Sequence, residues 1–170
     1  LIERSPTYTF SPSLLWLMVG DRSAPAITRD YSTLRRRGVE VMQASVEAVD
    51  TAASSVRTDQ GPVAYDYLVI ALGATPDRGA LPGVAEYAHD PYDLAAAERL
   101  RDALARFGGG RVVVAIASLP YKCPAAPYET AMLIDGFLRR RNLRDRSEIS
   151  VYTPEPLPMP VAGPYAGHSV

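Results

Sequence analysis

The chain has 170 residues, 47% of them apolar, which is enough for one hydrophobic core or two small ones. Its 18 basic and 19 acidic residues give a formal net charge of -1, so no overall positive field favours nucleic acid as a partner. One cysteine excludes an internal disulfide, and no apolar run approaches the ~20 residues that a membrane-spanning helix needs. The residues also show neither the pattern of a signal peptide nor the ligand spacing of a metal site.

The first part of the chain predicts short strands and one helix. Residues 1–3 have the character of a strand end, and residues 27–37 have helical apolar spacing. Alternating valines over residues 39–63, separated by turn residues, predict a short antiparallel β-meander. The continuous apolar run over residues 67–72 predicts a strand that is buried on both faces.

A boundary between two lobes is predicted in residues 75–91. This stretch contains three prolines and two glycines and has no apolar periodicity, which is typical of a linker. We therefore expect two domains, residues 1–83 and residues 84–170. Asp93, just after the linker, is a suitable N-cap for the next helix.

The second part of the chain predicts a strand, a crossover helix and a second strand. The apolar run 111–117 predicts a buried strand, residues 127–142 a helix, and residues 149–152 a strand. Strands that are joined by a helix pair in parallel, so this pattern predicts an α/β fold of the Rossmann type.

Cys123 lies in the loop between the predicted strand and helix, where α/β proteins place their ligands. Unpaired amide groups at the helix start and the ammonium group of Lys122 would favour the thiolate form of this cysteine. Glu129, near the helix start, is placed to move protons if it faces the loop. These three residues are the candidate catalytic residues. A buried structural cysteine and a plain helix-capping glutamate are alternatives that the spacing leaves open.

The segment YKCPAAPYE at residues 121–129 resembles the active-site segment of sulfide:quinone oxidoreductases and of the flavoprotein subunit of flavocytochrome c sulfide dehydrogenases. The resemblance implies that Cys123 lies near a flavin and binds or relays sulfide sulfur. It also implies that Glu129 handles protons. The implied fold consists of parts of two Rossmann-like lobes with the antiparallel meander.

Other segments resemble the FAD domain of related flavoproteins. LVIALGATP at residues 68–76 is similar to the closing strand of that domain, with leucine where threonine is usual. The loop at residues 8–17 is similar to the loop that runs past the flavin. The glycine-rich turn that holds the FAD pyrophosphate would precede residue 3, so we expect the chain to be an internal part of a longer protein. The resemblance implies FAD as the cofactor, and the residues it places at FAD are Glu3, Arg4, Pro12, Ser13, Val46, Ala71, Leu72 and Gly73.

The resemblance implies FAD-dependent oxidation of sulfide or polysulfide, with quinone or cytochrome c as the electron acceptor. Bulky residues follow the predicted strand 111–117, where NADH binding would require a glycine-rich turn. An FAD-dependent NAD(P)H dehydrogenase or disulfide reductase of the same superfamily, and a non-catalytic fragment, remain alternatives. We further expect a peripheral membrane or periplasmic location, membrane contact through regions outside these residues, and homo-oligomers formed through open sheet edges.

Overall fold

The structure is a computed structural model that describes residues 1–79 and 81–163. It contains two compact units. The first is built from Leu1–Phe10 and Thr28–Gly73, and the second from Ser11–Ile27 and the chain from Ala74 onward. The chain therefore passes between the two units three times. The predicted domains divide the chain once, at residue 83, and this division remains a prediction.

The described residues form nine strands and six α-helices. The strands are β1 (Ile2–Glu3), β2 (Thr7–Thr9), β3 (Thr28–Asp30), β4 (Met42–Gln43), β5 (Val46–Asp50), β6 (Ser55–Thr58), β7 (Gly61–Ala64), β8 (Gly110–Ala115) and β9 (Ser147–Tyr152). The helices are α1 (Leu14–Met18), α2 (Ala24–Ile27), α3 (Ser32–Arg36), α4 (Val84–Tyr87), α5 (Leu94–Arg106) and α6 (Ala126–Arg140).

The first unit contains the predicted meander. Strands β5, β6 and β7 pair antiparallel in sequence order, and Val56 on the central strand is buried. The strand end predicted at residues 1–3 is also confirmed, because β1 pairs in parallel with β4. Val39 and Val41, which were counted with the meander, lie outside it, because the chain first pairs with β1 and enters the meander only at Val46.

The helix predicted over residues 27–37 is wrong in its first part. Thr28–Asp30 pair antiparallel with Thr7–Thr9, and helix α3 begins only at Ser32. The carboxylate of Asp30 accepts hydrogen bonds from the backbone N–H of Ser32 at 3.0 Å and from its hydroxyl at 2.6 Å. Local side-chain bonds of this kind compete with helix continuation, so periodicity alone gave the wrong result here.

The buried strand predicted over residues 67–72 is also wrong. These residues form no strand, and Tyr67 and Leu72 are 94% and 84% exposed. A strand requires a hydrogen-bonded neighbour, and no other part of the described chain forms a ladder with this run. The apolar composition of residues 67–72 predicted a buried strand, but no neighbouring strand in the described chain pairs with them.

In the second unit, helix α5 begins where the sequence predicted. The carboxylate of Asp93 accepts a hydrogen bond from the backbone N–H of Ala96 at 2.7 Å, which is an N-cap. The predicted apolar face is buried through Ala97 and Leu104. Ala97 lies in a cluster with residues of α1 and α2, and Leu104 lies in a second cluster that includes residues of α1 and α6.

The strand, helix and strand predicted in the second unit are confirmed. Strands β8 and β9 pair in parallel over their full length, and α6 buries Ile134 and Leu138 in the core. The burial predicted for the strand at residues 111–117 is found only in part, because Val113 is 57% exposed. Only one face of β8, the face that carries Val112, packs against the core cluster.

We predict that Asp93→Ala lowers the free energy of unfolding by about 1 to 2 kcal/mol, because it removes the N-cap of α5. Burial opposes ionisation of Asp93, but the Ala96 N–H and the Arg78 guanidinium outweigh this effect and lower its pKa. The carboxylate therefore contributes stability above its unfolded pKa of 3.8, and this contribution is lost as the pH falls through the lowered folded pKa.

Urea unfolding of the wild-type and Asp93→Ala proteins at several pH values measures this loss of stability. Asp102→Ala is the matched control, because Asp102 lies in the middle of α5, away from its ends, and its side chain is exposed. The free energy of unfolding of this variant should change by less than about 0.5 kcal/mol. Equal losses in the two variants would contradict the capping role of Asp93.

Candidate active site

Cys123 lies in the loop of residues 116–125, which joins the carboxyl end of β8 to the start of α6. Its side chain is exposed, and its φ angle is +59°, in the left-handed region that side chains disfavour. Its carbonyl accepts a hydrogen bond from the N–H of Ala126 at 3.0 Å. The predicted position ahead of a helix start is thus confirmed, and the alternative of a buried structural cysteine is wrong.

Tyr92, which the sequence analysis did not identify, contacts the backbone next to this cysteine. Its hydroxyl donates a hydrogen bond to the carbonyl of Lys122 at 2.8 Å. Burial raises the pKa of Tyr92 to about 12, and the nearby Cys123 and Asp90 contribute in the same direction. No sequence pattern pointed to Tyr92, because 30 residues separate it from Lys122.

The ammonium group of Lys122 contacts the residues on either side of the linker, Ala74 before it and Tyr92 after it. It donates a hydrogen bond to the carbonyl of Ala74 at 3.0 Å and lies 5.9 Å from the centre of the Tyr92 ring. Lys122 is exposed, and these two contacts restrict the position of its ammonium group. Its predicted influence on the thiol of Cys123 stays a prediction.

A second group that the sequence analysis missed is centred on Glu155. Its Oε2 atom accepts hydrogen bonds from the hydroxyls of Tyr121 at 2.9 Å, Tyr128 at 2.9 Å and Thr153 at 3.2 Å. Tyr128 is only 4% exposed. Burial and the hydrogen bond to Glu155 raise the pKa of Tyr121, so its phenol stays protonated. This carboxylate therefore joins the Cys123 loop, the first turn of α6 and the chain after β9.

Glu129 occupies the first turn of α6, as predicted. Its N–H donates a hydrogen bond to the carbonyl of Ala125 at 2.9 Å, and its side chain is partly buried. The carboxylate of Glu129 makes no hydrogen bond or ion pair with any residue in the described part of the chain. A carboxylate without a fixed partner is available for proton transfer, and that role stays a prediction.

The residues predicted to bind FAD are distributed over both units. In the first unit, Glu3 ends β1, and its Oε1 atom accepts a hydrogen bond from the N–H of Ser5 at 2.9 Å. A carboxylate at the carboxyl end of a parallel strand suits the ribose hydroxyls of a dinucleotide. Gly73 has a φ angle of +71°, which permits the close backbone approach that a cofactor requires.

The remaining predicted FAD residues have the following positions. Arg4 follows β1 and is exposed, Val46 begins β5, and Ala71 and Leu72 are exposed in the run without a strand. In the second unit, Pro12 and Ser13 form a 3₁₀ turn directly before α1. The chemistry of Glu3 suits the ribose of FAD. Each predicted FAD contact stays a prediction.

The parallel strands β8 and β9, with the crossover helix α6 between them, form an α/β unit that carries Cys123 in its loop. The profile of the pyridine nucleotide-disulphide oxidoreductases matches residues 4–120, so the chain belongs to that family. Within it, the profile of the central part of the sulfide dehydrogenase [flavocytochrome c] flavoprotein chain matches residues 97–156, which include Cys123 and Glu155.

Individual relatives agree with this assignment. The mitochondrial sulfide:quinone oxidoreductase of Mus musculus is 27% identical over 88% of this chain, which spans 34% of the mouse protein. The X-ray structure of the sulfide:quinone oxidoreductase from Aquifex aeolicus has a TM-score of 0.81 and 28% identity, covering 92% of this chain and 37% of that chain. These matches confirm the predicted family and the α/β fold.

A second solved structure shows the fold alone. NDH2 from Plasmodium falciparum, solved in complex with NADH, has a TM-score of 0.66 at 20% identity and covers 95% of this chain and 38% of that chain. This chain thus spans little more than a third of the solved proteins that it matches.

We predict that Glu155→Ala lowers the free energy of unfolding by about 1 to 3 kcal/mol, because three hydroxyls lose their shared acceptor. Thermal and urea unfolding measure the loss. Glu148→Ala is the matched control, since Glu148 is exposed on β9 and should change stability little. A Glu155 variant as stable as the Glu148 variant would show that the cluster does not hold the loop.

Proposed function

We propose that the protein containing this chain oxidises sulfide, with FAD as its cofactor and quinone as its electron acceptor. The observation that carries the proposal is the exposed thiol of Cys123, held in a left-handed backbone conformation at the carboxyl end of β8. The family and the sulfide:quinone oxidoreductases among the relatives support the same assignment. FAD, when bound, supplies the two-electron acceptor between sulfide and quinone.

In this proposal Cys123 captures the sulfur atom. Its thiolate and a hydrosulfide ion form a sulfur–sulfur bond, which leaves a persulfide on Cys123 and releases one proton and two electrons. Glu129, partly buried three residues after the start of α6, accepts the proton. Quinone takes up the two electrons together with two protons and becomes quinol. The exposure of Cys123 provides the access that the hydrosulfide ion needs.

The loop after β8 provides the argument against NADH as the electron donor. A dinucleotide would need bare backbone next to the carboxyl end of this strand. Tyr121 occupies the loop with a bulky side chain, and its hydroxyl is bound to Glu155 beyond the end of β9. The side chains of Tyr121 and Tyr128 therefore converge at the carboxyl ends of both parallel strands, where the pyrophosphate would bind.

The proposal extends to the partners of the whole protein. Quinone is preferred over cytochrome c, because the similar proteins from Mus musculus and Aquifex aeolicus are named sulfide:quinone oxidoreductases. Within residues 1–79 and 81–163, no helix combines the length and apolarity that a bilayer crossing requires. We place the protein at a membrane surface or in the periplasm, and we expect homo-oligomers to form through open sheet edges.

We predict that sulfide bleaches the flavin absorbance of the full-length protein and that NADH alone does not. Stopped-flow absorbance spectroscopy with each donor, without oxygen, measures both reactions. The expected asymmetry follows from the exposed thiol and the filled dinucleotide site. Bleaching by NADH alone would instead establish an NAD(P)H dehydrogenase or disulfide reductase, and a purified full-length protein without flavin would favour the non-catalytic alternative.

We further predict that Cys123→Ser lowers sulfide-dependent quinone reduction on the order of 100-fold or more, because serine cannot form a persulfide. Met132→Leu is the control, since Met132 carries an exposed sulfur atom on α6 and takes no part in the proposed reaction. Turnover is expressed per bound flavin. Undiminished turnover by the serine variant would remove Cys123 from the mechanism.

A further inference from the structure

Tyr92 connects the segment before α5 to the peptide group that precedes Cys123. Its ring packs against the core cluster of the second unit, and its hydroxyl donates to the carbonyl of Lys122 at 2.8 Å. That carbonyl belongs to the peptide group whose nitrogen atom is the backbone nitrogen of Cys123. Because the peptide group is planar, a hydrogen bond to its oxygen also fixes the orientation of its N–H.

The backbone of Cys123 is therefore held on both sides. The hydrogen bond from Tyr92 fixes the preceding peptide group, and the hydrogen bond from the N–H of Ala126 to the carbonyl of Cys123, at 3.0 Å, fixes the following one. Between them φ is +59°, a value that a residue with a side chain keeps only where its surroundings impose it. This angle sets the direction in which the thiol projects from the loop.

Two charged residues, Asp90 and Arg78, connect the backbone of Tyr92 to the start of α5. Its N–H donates to Oδ1 of Asp90 at 3.0 Å, and the other carboxylate oxygen of Asp90 pairs with the guanidinium of Arg78 at 2.7 Å. Arg78 also pairs at 2.6 Å with Asp93, the N-cap of α5. A short series of hydrogen bonds through Tyr92 therefore connects the start of α5 to the Cys123 loop.

We propose that Tyr92 is a positioning residue for Cys123: its hydroxyl holds the Lys122–Cys123 peptide group so that the thiol keeps the direction needed to capture sulfur. This inference rests on the proposed function, because the direction of the thiol matters only if Cys123 reacts. The raised pKa of Tyr92, about 12, keeps the hydroxyl a proton donor at neutral and moderately alkaline pH.

The test uses Tyr92→Phe in the full-length protein. The phenyl ring preserves the packing and the contact with the Lys122 ammonium, so only the hydrogen bond is removed. We expect kcat for sulfide-dependent quinone reduction, per bound flavin, to fall about tenfold, because a misdirected thiol is seldom in reacting geometry. We expect KM for sulfide to stay unchanged. We also expect alkylation of Cys123 by iodoacetamide, followed by peptide mass spectrometry, to keep its rate, since the thiol is exposed with or without the hydrogen bond.

Tyr87→Phe is the matched control, because Tyr87 belongs to the linker and is 78% exposed. It should leave kcat, KM and the alkylation rate unchanged. An unchanged kcat in Tyr92→Phe, with Cys123→Ser inactive, would overturn the positioning role alone. A fully active Cys123→Ser protein would overturn the proposed function instead.

A second variant covers the case in which Tyr92→Phe does not fold. Asp90→Ala leaves the hydroxyl of Tyr92 in place but removes the carboxylate that accepts a hydrogen bond from the backbone N–H of Tyr92. We expect a smaller fall in kcat, again without a change in KM. A wild-type kcat in Asp90→Ala would contradict the series of hydrogen bonds described above.

Discussion

The chemistry proposed for Cys123 depends on keeping residues 116–125 in one conformation. The parallel ladder between β8 and β9 fixes one end of this loop, and the burial of Ile134 and Leu138 fixes helix α6 at the other end. Fixed ends alone do not set the path of such a loop, because each residue retains its own backbone freedom. The left-handed conformation of Cys123 therefore depends on hydrogen bonds made within the loop and to it.

Those hydrogen bonds come from tyrosines on different parts of the chain. Tyr121 and Tyr128 converge on the Glu155 carboxylate, and Tyr92 binds the carbonyl of Lys122. Tyrosine suits this task because its rigid ring packs against apolar neighbours while its hydroxyl reaches a polar partner. One oxygen of the Glu155 carboxylate accepts hydrogen bonds from three hydroxyls, which offsets part of the cost of its partial burial.

The first unit presents the opposite situation, an apolar segment without a partner. The run over residues 67–72 has the composition of a central strand, but it is exposed and unpaired within the described chain. A polar backbone in that state is satisfied by solvent, while its apolar side chains lose the benefit of burial. The segment that resembles the closing strand of an FAD domain is therefore the part of this chain that most needs further sheet neighbours.

Local chemistry explains which predictions succeeded. The N-cap at Asp93, the apolar face of α5, the meander and the parallel unit of β8, α6 and β9 all follow from interactions between residues that are close in sequence or repeat with a fixed period. The position of Cys123 ahead of α6 follows from the same order of elements, and the motif around it led to the correct family.

By itself, the sequence determined the order of strand, helix and strand in the second part of the chain, the family, and the loop that carries the cysteine. Tertiary structure alone decided that Thr28–Asp30 would be a strand, that residues 67–72 would lack one, and that Tyr92 and Glu155 would meet the loop. The physical reason is separation along the chain. A side-chain hydrogen-bond partner 30 residues away leaves no periodic trace in the sequence, because only the folded backbone brings the two groups together.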